Sequence, residues 1–153
     1  MSEIIYKITT NDDIELLMSS RLEMLREVFK LSDDYEYDDD FVECSRNYFL
    51  ENDHTTVLAI DGDKVIGCAS MCYIEVMPTP DHPTGKRAHL MNVYTNKNYR
   101  RKGIAQKMMD MLLEDAWNRG TTEISLDSTE AGRPLYEHNG FEASKECMVL
   151  VRK

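Results

Sequence analysis

Basic residues are scarce in this chain, with 18 Lys and Arg against 28 Asp and Glu, a net charge of −10. Such a charge repels nucleic acid and anionic lipid at long range, so neither is expected as a partner. Long apolar runs are also missing. The nearest approach, residues 65–74, is interrupted by Gly67 and Ser70 and is too short to cross a bilayer. The first ten residues hold no signal-like apolar stretch, and a cytoplasmic location is expected. Cysteine is sparse, and Cys44, Cys68, Cys72 and Cys147 form no Cys-x-x-Cys pair. The common zinc and redox motifs are thereby absent, and no metal site is expected. Cys68 and Cys72 lie four apart in a strand-like stretch and read as small reduced core residues. Repeats, low-complexity tracts and linkers are lacking too. The 153 residues predict one domain, 1–153.

What is present alternates between strand and helix patterns. Ile4 to Ile8 alternates apolar and polar residues and predicts a strand. Cap-forming residues at 10–13 precede a helical spacing of apolar residues from Ile14 to Phe29. An acidic loop over 32–40 leads into a second helix, about Asp38 to Leu50. Thr56 to Ile60 and Lys64 to Val76 read as a hairpin around Asp61-Gly62-Asp63. Three prolines and Gly85 make 77–85 a rigid loop before a strand from Arg87 to Thr95. A one-sided apolar stripe predicts a helix from Ile104 to Arg119, ended by Gly120. A short strand, Glu123 to Leu126, should lie parallel to 87–95 across that helix. A short helix from Arg133 follows, and Phe141 to Val151 should return as a strand. The pattern is that of an α+β domain with a mixed sheet and about four helices.

Chemistry concentrates between Asn92 and Ala105, N-V-Y-T-N-K-N-Y-R-R-K-G-I-A. A strand runs into a turn and the turn into a helix start. Helix N-termini carry unpaired N–H groups and partial positive charge, which suits phosphate. Gly103 permits close backbone approach. Five basic residues, Lys97, Arg100, Arg101, Lys102 and Lys107, fall within eleven positions, reversing the sign of the chain. A polyanionic ligand fits this turn, and a solvated basic turn is the plainer alternative. Gly-x-x-x-x-Gly-Lys-Ser/Thr and Gly-x-Gly-x-x-Gly are both missing, which excludes the P-loop and dinucleotide-binding readings.

On these residues the sequence resembles the GNAT superfamily of N-acetyltransferases. N-V-Y-T resembles that family's fourth strand, and R-R-K-G-I-A its pyrophosphate loop, Arg/Gln-x-x-Gly-x-Gly/Ala. E-I-S-L-D-S-T and G-R-P-L-Y-E-H-N-G-F resemble its later strand and its ending, so the likeness covers about 92–141. Ala105 stands where many members have glycine, and Thr129 where several carry a cofactor-contacting Asn. The resemblance implies a central mixed, mostly antiparallel sheet flanked by about four helices, with acetyl-CoA as co-substrate. Val93, Tyr94 and Thr95 would offer backbone groups to the pantetheine arm. Backbone N–H groups of Arg101, Lys102, Gly103, Ile104 and Ala105 would hold the pyrophosphate, with Arg100 and the other basic side chains adding charge. Thr129 would keep a cofactor contact through its hydroxyl. Tyr136 matches the family's tyrosine near the CoA sulfur and would serve as acid for the leaving thiolate. A phenol near pKa 10 is a reasonable proton source for a thiolate of about 8.5.

The base is open at this stage. Glu75, near the end of the long predicted strand, is the first choice, with Asp127, His82 and His89 as further options, and Asn92 and Ser128 could position a water. Direct transfer in a ternary complex is the simpler scheme. The acceptor is expected to be a primary amine: a polyamine, aminoglycoside, amino acid or peptide amine. Seven carboxylates over 33–43 could attract a polycation. Arg21 and Arg26 could instead hold a substrate carboxylate, with Asn92 beside them. A homodimer is left open. The competing class is a non-catalytic acetyl-CoA-binding sensor or scaffold, which would have no need of Tyr136.

Overall fold

The computed structural model describes residues 3–153. Its five strands are β1 (Ile4–Ile8), β2 (His54–Asp61), β3 (Lys64–Glu75), β4 (Lys86–Thr95) and β5 (Glu123–Leu126). They form one sheet in chain order, with β4 and β5 parallel and all other neighbours antiparallel. The main helices are α1 (Ile14–Val28), α2 (Asp39–Glu51), α3 (Ile104–Asn118) and α4 (Arg133–His138). The expected mixed, mostly antiparallel sheet with four helices is therefore what forms.

Strand alternation sorts the core into two layers. Val57, Ala59, Ile66, Ala69, Met71, Ala88 and Leu90 point to α3, which answers with Met108, Met109, Leu112 and Ala116. Leu58 and Cys68 point the other way, against Leu17, Met18 and Met24 of α1 and Phe49 of α2. The helix starts are capped where the sequence offers a cap: Thr10 closes a capping box with Asp13, and Asp38 accepts from Asp40 N–H.

The far end of α3 is pinned by polar contacts. Asp115 accepts hydrogen bonds from Thr55 Oγ1 at 2.7 Å and Tyr73 Oη at 2.5 Å. Arg119 donates to Asp53 at 2.8 Å and stacks over the Tyr73 ring at 4.1 Å. At the same end Gly85 closes the loop before β4 with φ = +69°, and an added Cβ would lie 2.0 Å from Val76 O. Gly85→Ala should therefore lower stability by at least the roughly 1–2 kcal/mol of a left-handed residue. The denaturant midpoint should fall at unchanged m value.

The expected strand over Phe141 to Val151 does not form. Phe141 is anchored, edge-on to the Tyr136 ring and bonded through its N–H to Tyr136 O at 3.0 Å. Beyond it no helix or strand follows, and Met148, Val149, Leu150 and Val151 are exposed. An apolar, β-branched pattern specifies a strand only where a neighbour supplies a ladder, and no described part of this chain does so here.

Candidate active site

The sheet opens between its two parallel strands. β4 and β5 pair from Arg87↔Glu123 to Leu90↔Leu126, and beyond that point β4 runs on to Thr95 beside β3 only. Val93, Tyr94 and Thr95 thus present a free strand edge on the β5 side. The register against β3 slips between Cys68 and Ser70, opposite Asn92 and Val93, and Asn92 adopts φ = +61°. This bulge re-aims β4 at the opening. It turns Asn92 towards α1, where its Oδ1 accepts a 2.7 Å hydrogen bond from Arg21 Nη1.

The basic turn sits at the mouth of the opening. Arg101 and Gly103 both take positive φ, +63° and +79°. Gly103 is the residue before α3 and supplies no side-chain cap, unlike Thr10 and Asp38 at other helix starts. The first N–H groups of α3 are therefore unpaired, in a concave backbone that suits an anion. Nothing lies within 4 Å of a Cβ placed on Gly103. Thr95 Oγ1, one strand-end away, is buried without a hydrogen-bond partner. An orphaned hydroxyl beside an uncapped helix start is a fit for a hydrogen-bonding, anionic ligand. The side chains around it are held in place. Arg100 Nε donates to Thr95 O at 2.9 Å, and its Nη2 stands 3.7 Å from Glu27, which also accepts from Tyr94 Oη. Lys102 lies over the Tyr99 ring at 5.4 Å.

Tyr136 packs against the α3 side of the core, next to the other half of the opening. Its hydroxyl makes no hydrogen bond to any described residue, and burial raises its pKa above the ordinary value. The ring edge comes within 2.9 Å of a Cβ built on Gly132, which explains a residue without a side chain there. Thr129 Oγ1 accepts from Gly132 N at 3.1 Å, so it shapes the turn into α4.

The remaining expected site residues separate. Glu75 pairs in register with Lys86, at the opposite end of β4 from the basic turn. It lines a cleft of about 540 Å³ with Asp53, Lys86, Arg87 and Arg119, away from the opening. Arg26 is spent on its own loop, donating to Ser32 O at 2.9 Å and Tyr35 O at 2.7 Å. Arg21 differs. It lies half-buried, over the Phe41 ring at 5.8 Å, and no carboxylate pairs with it among the described residues. Burial lowers its pKa, against the pull of nearby Cys68, Cys72 and Tyr37.

One of the further base options, His89, gains partners in the structure. His89 Nδ1 is 2.7 Å from Ser125 Oγ, and its Nε2 is 3.6 Å from Asp127. Ala88 and Leu90 face α3, so His89 projects from the opposite face, the one on which Arg21 meets Asn92. Strand parity was the signal that could have set it apart from His82. Cys68 is buried and its thiol is pushed up to about 12, which leaves it unreactive. No described helix is long and apolar enough to cross a membrane, and no described cluster of His, Cys, Asp or Glu could hold a metal.

A parted parallel strand pair with an uncapped helix start at its mouth is the arrangement that the resemblance to the N-acetyltransferases implied. Comparison with known proteins makes the class specific: the model of the acetyltransferase (GNAT) family matches residues 22–141, and the chain belongs to that family. A glucosamine 6-phosphate N-acetyltransferase of Trypanosoma brucei brucei is 32% identical over 89 residues, 57% of each protein. The chain thus spans little more than half of that relative's length. A predicted acetyltransferase of Clostridium acetobutylicum, crystallised with acetyl-CoA, matches with a TM-score of 0.84 at 28% identity, covering 97% of this chain and 96% of that one. A GCN5-related N-acetyltransferase of Ralstonia eutropha JMP134 matches at 0.79 and 25% identity, over 97% and 99%.

Proposed function

We propose that this chain is an N-acetyltransferase that moves acetyl from acetyl-CoA directly to a small primary amine carrying an anionic group. The observation that supports it most is the half-buried Arg21 without a carboxylate partner, held by Asn92 at the opening of the sheet. A charge removed from water and left unpaired is costly, and a substrate carboxylate or phosphate would offset that cost. The trypanosome relative, named for an amino-sugar phosphate, is consistent with such an acceptor.

Acetyl-CoA would supply the activated acetyl thioester. The backbone N–H groups of 101–105 would bind its diphosphate, with Thr95 Oγ1 and the free edge of Val93 to Thr95 aligning the arm. Tyr136 Oη holds a proton in the acid role. His89, oriented by Ser125 and Asp127, takes the base role, receiving the ammonium proton directly or through water. Glu75 is too far along β3 for that task. The inert Cys68 offers no acyl-enzyme route, which favours direct transfer. A sensor or scaffold would have no use for a tyrosine hydroxyl kept unpartnered beside the opening.

A panel of amines with acetyl-CoA, read by thiol release, tests this reading. Turnover should be highest with amino acids or amino-sugar phosphates. Arg21→Met should raise KM for them about 10- to 100-fold, the worth of a charged hydrogen bond. Neutral amines should be unaffected. Failure of every amine to release thiol removes the transferase reading. A preference for polyamines that is indifferent to Arg21→Met removes the anion anchor.

A further inference from the structure

The cleft of about 540 Å³ lies at the end of the sheet that the transfer chemistry does not use. It sits among the end of β3, the start of β4 and the C-terminal end of α3. Small-molecule sites commonly have this size. The ten residues of β4 run from it to the basic turn, a span of about 30 Å. Its lining holds two carboxylates, Asp53 and Glu75, and two cations, Lys86 and Arg119, together with Tyr73. Most of these groups are fixed within the free chain. Arg119 is held by Asp53 at 2.8 Å and by Asp115 at 3.2 Å, and it covers the Tyr73 ring. Tyr73 N–H donates to Asp53 O at 3.0 Å, and its hydroxyl donates to Asp115. At the rim, Val76 N–H donates to Gly85 O at 2.9 Å and Thr122 N–H to Lys86 O at 3.0 Å. A cleft whose walls are already ordered binds at low entropic cost.

Two charges are left over. Glu75 and Lys86 are direct cross-strand partners, a relation that sets Cβ atoms about 4.5–5.5 Å apart. No ion pair joins them, and neither charged group has a partner among the described residues. An anion could reach Lys86 only by facing Glu75, and a cation could reach Glu75 only by facing Lys86. A molecule with one charge of each sign, close together, answers both. We propose that this cleft is a second binding site, for a free α-amino acid with an uncharged side chain. The ammonium group lies at Glu75 and the carboxylate at Lys86. One carbon joins the two groups of such a ligand, which suits opposite charges on adjacent strands. Asp53 and Arg119 already neutralise each other, so the side chain of the ligand needs no charge of its own. This gives Glu75 a role apart from the transfer step, and it leaves the acetyl-CoA opening free while the cleft is filled.

Amide NMR of the isotope-labelled full chain, without acetyl-CoA, tests this site with L-leucine, L-phenylalanine and L-glutamine as probes. At least one should shift the amides of 53, 73–75 and 86 in a saturable way. Isoamylamine, which is leucine without its carboxylate, and isocaproate, which is leucine without its amine, should each bind at least tenfold more weakly than leucine. Lys86→Glu and Glu75→Lys should each weaken amino-acid binding at least tenfold. Both side chains are exposed, so circular dichroism should be unchanged. Arg21→Met, which alters the proposed acceptor anchor, should leave the shifts at the cleft intact. Absence of a saturable shift with all three amino acids overturns the proposal. Shifts confined to the surroundings of Arg21 and Asn92 also overturn it, while leaving the acceptor reading in place. Equal binding of either truncated analogue overturns the zwitterion assignment, and binding indifferent to both charge reversals overturns the site.

Discussion

Tyr136→Phe should bind acetyl-CoA with undiminished affinity and turn over about 10² to 10⁴ times more slowly, the span of a positioned acid. The substitution removes one hydroxyl and keeps the ring, whose contacts with Phe141 and with the Gly132 backbone hold α4 in place. Stability should hardly move, because that hydroxyl has no partner to lose within the described chain. The pH profile carries the sharper signature. Burial raises the phenol above its ordinary pKa of about 10. The proton is therefore present through neutral and mildly alkaline pH, and the rate falls only as pH climbs past the raised value. That alkaline limb should vanish in the phenylalanine variant. Full turnover by Tyr136→Phe, measured where chemistry limits the rate, would show that the leaving thiolate needs no help from this residue.

Gly103→Glu should abolish acetyl-CoA binding in a protein that still folds. The space beside Gly103 is open, with nothing within 4 Å of an added Cβ. Its cost in the free protein is the roughly 1–2 kcal/mol of a non-glycine residue at positive φ. Its effect on the ligand is far larger, because a carboxylate would stand at the unpaired N–H groups and repel the diphosphate. At a hundredfold excess over Kd, acetyl-CoA should stabilise the unmodified chain by about 2.7 kcal/mol. For a chain of this length that is a Tm rise of roughly 5–10 °C. Gly103→Glu should show no rise at millimolar ligand. Gly103→Ala, which shares the backbone strain and lacks the charge, should keep most of it. Equal loss in both variants would trace the defect to the turn's conformation instead of its charge.

The regular elements were legible in the sequence because their signals are local. Apolar spacing located α1 and α3, and the Asp-Gly-Asp turn located the β2–β3 hairpin. The basic turn was legible because it combines a glycine, a helix start and a reversed charge in one short segment. Three features depended on partners distant in sequence. The Asn92 bulge arises from a mismatch with Cys68 and Ser70 on β3, and nothing within N-V-Y-T announces it. Arg21 and Arg26 look alike as residues, but Arg26 is held by the carbonyls of Ser32 and Tyr35 while Arg21 reaches β4. Glu75 seemed well placed near a strand end, yet it lies at the end of β3 that faces away from the basic turn. The strand expected over 141–151 does not form, because an apolar pattern says nothing of whether a neighbour supplies a ladder, and none within the described chain does.

The two ends of α3 are held by different means. Asp115 and Arg119 bind the last turns to β2 and β3, whereas the first turn has no cap of its own. Ile104 in that first turn is only 4% exposed and packs in one cluster with Met108 and Leu112, so packing and not a cap holds it. An anion seated on the first N–H groups would act as the missing cap on a turn already in place. Little of the free energy of donor binding would then be spent on ordering the receiving backbone.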